Sequence, residues 1–94
     1  MDTHPWTVEV LSRAEVEIKD LPGRLRREAL ELLQGFEENP FPPDSVPLVG
    51  HAGLYRVRLE GYRILYRVSV KRRQVLVIRV RPRSVAYRGL EAFK

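Results

Sequence analysis

The chain has 94 residues, enough for one small domain with a single hydrophobic core. It contains no cysteine, and neither His4 nor His51 has an acidic or histidine neighbour at ligand spacing, so we expect no disulfide and no metal enzyme. No apolar run approaches the roughly 18 residues of a membrane span, and the N-terminus lacks the order of a signal peptide. We therefore expect a cytoplasmic protein without a membrane partner.

The net charge of +5 hides a marked asymmetry between the two halves of the chain. Residues 1–47 carry five Lys and Arg against ten Asp and Glu, whereas residues 48–94 carry twelve against two. The balance is thus −5 in the first half and +10 in the second. Such a basic half indicates a polyanionic partner, although charges that only keep strand edges and hairpin tips soluble give the same composition.

The first half predicts one strand and two helices. Residues 6–11 alternate apolar and polar as a strand does, and Ser12 with Glu15 fits a capping box at the start of a short helix. Pro22 suits the first turn of a second helix, whose apolar residues repeat at helical spacing out to Glu38. Four prolines make residues 39–50 a connecting loop.

Residues 53–68 predict a β-hairpin with a two-residue turn at Glu60 and Gly61, where the glycine takes the positive φ. The predicted pairs are Leu59/Tyr62, Arg58/Arg63, Val57/Ile64, Arg56/Leu65 and Tyr55/Tyr66. The tyrosines then lie on an apolar core face, and Arg56, Arg58, Arg63 and Arg67 share the other face. Because like charges opposite each other are unfavourable, Arg58 and Arg63 are either tolerated in solvent or hold an anion.

A three-residue turn, residues 71–73, is expected before a last strand that runs from Gln74 to Arg81. This register sets Val68 opposite Leu76, Tyr66 opposite Ile78 and Ile64 opposite Val80, which keeps the apolar face continuous. It also brings Arg79 opposite Leu65 and Arg81 opposite Arg63 on the basic face. An apolar strip of Leu54, Leu65, Val75 and Val77 then lies among the arginines. Residues 84–93 form a short tail.

These residues together resemble the RelE/ParE superfamily of bacterial toxins, specifically its RelE-like branch. The resemblance rests on GLYRVRLEGYRILY in the hairpin and on Arg83 followed four residues later by Tyr87. It implies an α+β fold over residues 1–94 as one domain, with a small antiparallel four-stranded sheet and two N-terminal helices on one face. The implied order is β-α-α-β-β-β plus a short C-terminal tail or helix.

The resemblance implies a toxin of a type II toxin–antitoxin system that enters the ribosomal A site and cuts mRNA there without a cofactor. Its active residues, carried over position by position, are Arg56, Arg58, Arg63, Arg83 and Tyr87. The chemistry implied is metal-free attack of a 2′-hydroxyl on the adjacent phosphate. The remaining arginines on the basic face and in the tail are candidates for RNA binding: Arg67, Arg79, Arg81 and Arg88.

One departure from the family concerns the proton transfers. Many relatives carry lysine where this chain has Arg56 and Arg58, and arginine does not lose its proton in proteins. We therefore expect Tyr87 to be the base, with Arg83 or a water as the proton donor. His51 is an alternative base, although no spacing argument directs it to the arginines.

A cognate antitoxin is the second partner that the resemblance implies. The strip of Leu54, Leu65, Val75 and Val77 is its expected binding site, because an acidic amphipathic helix or an added strand would cover an apolar groove flanked by arginines. Two other functions stay open: a ParE-like inhibitor of DNA gyrase without nuclease activity, and a catalytically weak homologue that binds only an antitoxin or the ribosome.

Overall fold

The computed structural model describes residues 5–90 and has two helices packed on one face of a five-stranded sheet. The elements are β1 (Thr7–Val10), α1 (Ser12–Lys19), α2 (Gly23–Phe36), β2 (Val46–Pro47), β3 (Leu54–Leu59), β4 (Tyr62–Ser69) and β5 (Gln74–Pro82). The strand order in the sheet is β1-β5-β4-β3-β2. The α+β class and the order of the predicted elements are confirmed.

Two details of the sheet differ from the prediction. A fifth strand, β2, pairs antiparallel with the outer edge of β3. It has only two residues and lies in the proline-containing loop, so no alternating pattern reveals it. In addition β1 runs parallel to β5, with Val8 opposite Val75. Alternation of side chains assigns the faces of a strand but not its direction, so it could not reveal that this pair departs from the antiparallel sheet that the resemblance implied.

The helices begin differently from the expected motifs. Ser12 is already the first helical residue, and Leu11 occupies the N-cap position with no side-chain hydrogen bond, so the predicted capping box does not form. Pro22 is the N-cap of α2 rather than part of its first turn, and α2 ends at Phe36. The apolar stripe of α2 is nevertheless buried against the sheet.

The main core lies between the helices and the sheet, and its centre is aromatic. Tyr66 is fully buried, with its ring 4.4 Å from that of Phe36 and 5.9 Å from that of Tyr55 between centroids. Its hydroxyl donates to the carbonyl of Pro40 at 2.8 Å. Burial raises the pKa of Tyr66 to about 12. The prediction that the hairpin tyrosines belong to the core is therefore confirmed for Tyr66.

A second, smaller core lies on the opposite face of the sheet. There the C-terminal tail, residues 83–90, folds in successive turns over β3, β4 and β5. Ala86 and Leu90 of the tail are buried together with three sheet residues, Leu54, Leu65 and Ile78. The centre of the sheet is thus covered on one face by the helices and on the other by the tail.

The hairpin has the predicted register at every pair from Tyr55/Tyr66 to Leu59/Tyr62. Its turn differs in one respect, because the positive φ of 54° falls on Glu60 and not on Gly61. An ion pair of the Glu60 carboxylate with Arg24 of α2 accompanies this conformation. The guanidinium holds the pKa of Glu60 below its ordinary value, chiefly through this hydrogen bond.

The predicted register between β4 and β5 is correct in one half of the strand pair and wrong in the other. Arg63/Arg81, Ile64/Val80 and Leu65/Arg79 pair as predicted, but Tyr66 faces Val77 and Val68 faces Val75. The shift between Leu65 and Tyr66 leaves Ile78 as an extra residue, which is a β-bulge. Every residue from Val75 to Ile78 is apolar, so alternation shows no sign of this insertion.

Within residues 5–90, no helix is long and apolar enough to cross a membrane.

Candidate functional site

Most of the basic residues of the hairpin and of β5 lie on the sheet surface opposite the helices, which we call the arginine face. Its six arginines are Arg56, Arg58, Arg63, Arg67, Arg79 and Arg81. Arg58, Arg63 and Arg81 are direct neighbours on three adjacent strands. The next row consists of Arg56, Leu65 and Arg79. Three cations side by side repel one another unless an anion or a carboxylate lies among them.

Arg58 is the most accessible arginine of the first row. Its side chain is exposed and has no hydrogen-bond or ion-pair partner within residues 5–90. Its backbone N–H donates to the carboxylate of Asp44 at 3.2 Å. Asp44 thus lies at the edge of the arginine face, where the sequence indicated no acidic neighbour. The guanidinium of Arg58 is available to an anionic ligand.

Arg56 carries a donor that lacks an acceptor. Its side chain is half-buried, and Nη1 is shielded from solvent with no hydrogen-bond partner among the described residues. A buried donor without a partner costs about 1–3 kcal/mol. An oxygen atom of a bound phosphate would accept a hydrogen bond from Nη1. A guanidinium is suited to binding phosphate because its planar donors match the geometry of the phosphate oxygens.

Arg63 is largely committed to the hairpin turn. It is 8% exposed, and Nη1 donates to the carbonyl of Glu60 at 3.0 Å and to that of Tyr62 at 2.8 Å. These bonds satisfy two turn carbonyls and fix the guanidinium between Arg58 and Arg81. The residue is therefore a rigid part of the row rather than a mobile surface cation.

Arg81 is paired with a carboxylate that sequence reasoning missed. Its Nε donates to Oε2 of Glu17 at 2.6 Å, and Oε1 of the same carboxylate accepts the backbone N–H of Val80 at 2.9 Å. Both side chains of the ion pair are mostly buried. A signal was present, because Glu17 lies on the apolar stripe of α1 between the buried residues Ala14 and Ile18.

The tail begins beside the hairpin turn. The backbone N–H of Arg83 donates to the carbonyl of Gly61 at 2.9 Å, which places Arg83 at the turn end of the arginine face. Its side chain is exposed. Tyr87 is 40% exposed and follows Ala86, which is buried in the cluster of Leu65. The structure therefore brings the start of the tail to the arginine row and leaves the phenol of Tyr87 accessible.

The predicted RNA-binding arginines differ in accessibility. Arg88 is exposed and Arg67 is half-buried. Arg79 is only 3% exposed, with Nη1 donating to the carbonyls of Ala86 at 2.9 Å and Arg88 at 2.5 Å. The prediction that Arg79 lies on an open RNA-binding surface is wrong, because the tail covers it. Glu17 likewise partly neutralises Arg81.

His51 lies far from the first arginine row. It belongs to the turn that precedes β3, where its N–H donates to the carbonyl of Leu48 and its own carbonyl accepts the N–H of Leu54. Since β3 runs from Leu54 to Leu59, His51 is at the opposite end of the strand from Arg58.

The predicted apolar strip does not exist as an exposed surface. Leu54, Leu65, Val75 and Val77 are each at most 1% exposed. Leu54 and Leu65 lie under the tail, whereas Val75 and Val77 belong to the core beneath the helices. The bulge at Ile78 explains the error, because it moves the valines to the other face of the sheet.

No group of three or more His, Asp or Glu side chains in the described part of the chain is arranged so as to hold a metal ion.

The fold and the site define a class of protein: a small α+β domain with two helices on one face of its sheet and arginines on the other. The model of the ParE toxin family of type II toxin–antitoxin systems matches residues 8–87. The chain belongs to this family, and it is a RelE-like toxin. The resemblance stated from the hairpin motif and from Arg83 and Tyr87 is confirmed.

Three solved structures similar to this chain are a RelE–RelB complex, a RelBE2 complex and an isolated RelE toxin. The RelE–RelB complex from Pyrococcus horikoshii OT3 is 29% identical, covers 87% of this chain and 99% of that chain, and has a TM-score of 0.77. The toxin–antitoxin complex RelBE2 from Mycobacterium tuberculosis is 29% identical with coverages of 84% and 99% and a TM-score of 0.72. The isolated Escherichia coli RelE toxin is 26% identical, with coverages of 82% and 83% and a TM-score of 0.71.

Proposed function

We propose that this toxin is a ribosome-dependent mRNA endoribonuclease that acts in the cytoplasm without a metal ion or cofactor. The 2′-hydroxyl of a nucleotide attacks its own 3′-phosphate, the bond to the 5′-oxygen breaks, and the products are a cyclic phosphate and a free 5′-hydroxyl. The observation that best supports this proposal is the row of Arg58, Arg63 and Arg81 across three strands. Such a row stabilises the negative charge that develops at phosphorus.

The side chains divide into phosphate-binding and proton-transferring groups. Arg58 is exposed, and Arg56 has a buried Nη1 in need of an acceptor, so these two residues bind the phosphate oxygens. Arg63 holds its guanidinium in a fixed position within the row. Because arginine does not deprotonate, the exposed Tyr87 side chain is the base that takes the proton of the 2′-hydroxyl. A water protonates the leaving oxygen, and the guanidinium of Arg83 stabilises the charge on that oxygen.

Primer extension on mRNA under translation tests this function. The wild type should leave cuts within the codon in the A site, and Tyr87→Phe should slow cleavage by about 10²-fold to 10⁴-fold because a positioned base is lost. Arg83→Ala should also slow cleavage. Arg27→Ala is the matched control, since Arg27 is an exposed arginine of α2 on the opposite face of the sheet. A wild type that cuts no mRNA would contradict the proposal.

A cognate antitoxin is the second proposed partner. The relatives from P. horikoshii and M. tuberculosis were solved as toxin–antitoxin complexes, and the basic second half of this chain suits an acidic antitoxin segment. An antitoxin segment that contacts Leu54 or Leu65 has to lift the tail first. Co-expression with the antitoxin should yield a stable complex on gel filtration that no longer cuts mRNA. Full cleavage by the complex would argue against this partner.

Inhibition of DNA gyrase is the second candidate function, favoured by the ParE name of the matching family. A supercoiling assay with purified gyrase distinguishes the two activities. Accumulation of relaxed plasmid without any cut in translated mRNA would support the gyrase reading. If the protein inhibits neither translation nor supercoiling, it is a homologue that only binds an antitoxin or the ribosome. Arginine in place of lysine at positions 56 and 58 suggests this outcome.

A further inference from the structure

Arg79 lies where the β-bulge turns two consecutive side chains towards the tail. Leu65 pairs with Arg79 and Tyr66 with Val77, so Ile78 between them has no partner of its own. Ile78 packs with Ala86 and Leu90 of the tail, while Arg79 beside it is 3% exposed. In a regular strand these neighbours would point to opposite faces. The bulge therefore directs both of them at the tail.

The guanidinium of Arg79 contacts the tail on both sides of Tyr87. Nη1 donates to the carbonyl of Ala86 at 2.9 Å and to that of Arg88 at 2.5 Å. Gly89 passes close to the same group, since a Cβ at that position would lie 3.9 Å from Nη2. Two N–H groups on one planar nitrogen suit two carbonyls at fixed separation, which a lysine ammonium on a flexible stem does not reproduce.

We propose that Arg79 is the positioning residue for Tyr87. This inference rests on the proposed nuclease function. The two carbonyls that Arg79 binds belong to the residues directly before and after Tyr87, so the guanidinium fixes the backbone that carries the phenol. Ala86 and Leu90 supply apolar anchors beside it. Arg79 thus acts on cleavage through Tyr87 and does not itself contact the RNA.

Single-turnover cleavage on programmed ribosomes at saturating toxin is the first test. Arg79→Met removes the donors and keeps the length, and it should slow cleavage by about 100-fold, the effect of misplacing a catalytic group by about 1 Å. The toxin concentration for half-maximal cleavage should stay the same. Arg72→Met is the charge-matched control, because Arg72 is exposed in the turn between β4 and β5. A raised half-maximal concentration at an unchanged rate would overturn the inference.

A double-mutant comparison separates positioning from a general loss of structure. If Arg79 acts through Tyr87, then adding Arg79→Met to Tyr87→Phe should slow cleavage by less than about 3-fold, because residues that act as a unit are not additive. A full further loss in the double variant would overturn the inference. Arg79→Lys keeps the charge without the planar fork and should also be slow. A wild-type rate for this variant would show that charge alone suffices and would overturn the inference as well.

Backbone order in the tail provides a readout that does not need catalysis. NMR order parameters of residues 86–89 should fall in Arg79→Met and remain unchanged in β4. Leu90→Ala removes an apolar anchor of the tail and none of the donors of Arg79, and it should lower the order parameters of the same residues. If the wild type cuts no RNA, the nuclease proposal fails on its own. If the tail stays ordered in Arg79→Met, the positioning inference fails whether or not the wild type is a nuclease.

Discussion

Glu17 of α1 and Arg81 of β5 are joined by a hydrogen-bonded ion pair of 2.6 Å although 64 positions separate them in the chain. The second oxygen of Glu17 accepts the backbone N–H of Val80, where β5 extends past the end of β1. One carboxylate therefore satisfies an otherwise open strand edge and also fixes the outermost arginine of the row. The helical layer thus contributes directly to the geometry of the arginine face.

Removal of this carboxylate should destabilise the fold. Glu17→Ala leaves the N–H of Val80 and the mostly buried guanidinium of Arg81 without their acceptor, and we expect a loss of about 2 kcal/mol in the free energy of unfolding. Urea denaturation measures this loss in the free energy of unfolding. Glu31→Ala, at an exposed position of α2, is the control and should stay within about 0.5 kcal/mol of the wild type. Equal effects of the two changes would contradict the structural role of Glu17.

The proposed RNA-binding function predicts that the arginines of the face differ in their contribution to RNA affinity. Arg58→Ala removes an exposed cation, so the slope of log K against log salt for single-stranded RNA should become shallower by about 0.7. Arg79→Met should leave that slope unchanged, because the tail already covers the guanidinium. Fluorescence anisotropy over a range of salt concentrations gives both slopes. A similar decrease in both variants would show that Arg79 reaches the RNA.

Two glycines should respond in opposite directions to the same substitution. Gly89 has a φ of 69°, which disfavours any side chain, so Gly89→Ala should lower the free energy of unfolding by about 1 kcal/mol. Gly35 lies in α2, and a Cβ added there would meet no neighbouring group within 4 Å, so Gly35→Ala should raise stability by about 0.5–1 kcal/mol. Thermal or urea unfolding of the pair measures the difference. A stabilised Gly89→Ala would contradict the tail conformation.

The buried phenol of Tyr66 should make stability depend on alkaline pH. Because folding raises the pKa of Tyr66 to about 12, its neutral form stabilises the native state fully below the ordinary value of about 10. This contribution is lost as pH rises from about 10 towards about 12. Tyr66→Phe should be less stable than the wild type at neutral pH, since the carbonyl of Pro40 loses its donor.

The test compares how the unfolding free energy of the wild type and that of Tyr66→Phe depend on pH. The difference in unfolding free energy between the wild type and Tyr66→Phe should narrow across this alkaline range, because the variant has no phenol to ionise at that position. Urea titrations at a series of pH values give both curves. A constant difference between the two proteins would show that Tyr66 does not titrate during unfolding.

Sequence reasoning was most successful where local chemistry determines the structure. A two-residue turn at Glu60 and Gly61 with alternating strands fixes the hairpin register, and with it the pairing of Arg58 with Arg63. The helical stripe of α2 was equally clear. The pairing of Arg58 with Arg63 in the candidate site was therefore predicted correctly. Within the hairpin, the only error was that the positive φ was assigned to Gly61 and not to Glu60.

The errors that changed the candidate site concern interactions between distant segments. The bulge at Ile78 lies in a run that is apolar on both faces, so alternation could not locate it, and the faces of Val75 and Val77 were exchanged as a result. Arg79 was interpreted as a surface cation because its acceptors are backbone carbonyls of the tail. Every residue has a backbone carbonyl, so no residue type in the sequence marks these acceptors. Glu17 is a charged residue in an apolar stripe, and this pattern indicates a buried partner. The pattern does not identify which residue the partner is.

The parallel pairing of β1 with β5 has a consequence for synthesis of the toxin. Thr7 is opposite Gln74, so the first strand to leave the ribosome finds its neighbour only after nearly the whole chain has been translated. Arg81 also lies on that last strand, and the row of three cations does not exist before it. Until residues 74–82 have been synthesised, neither the parallel strand pair nor the complete arginine row can form.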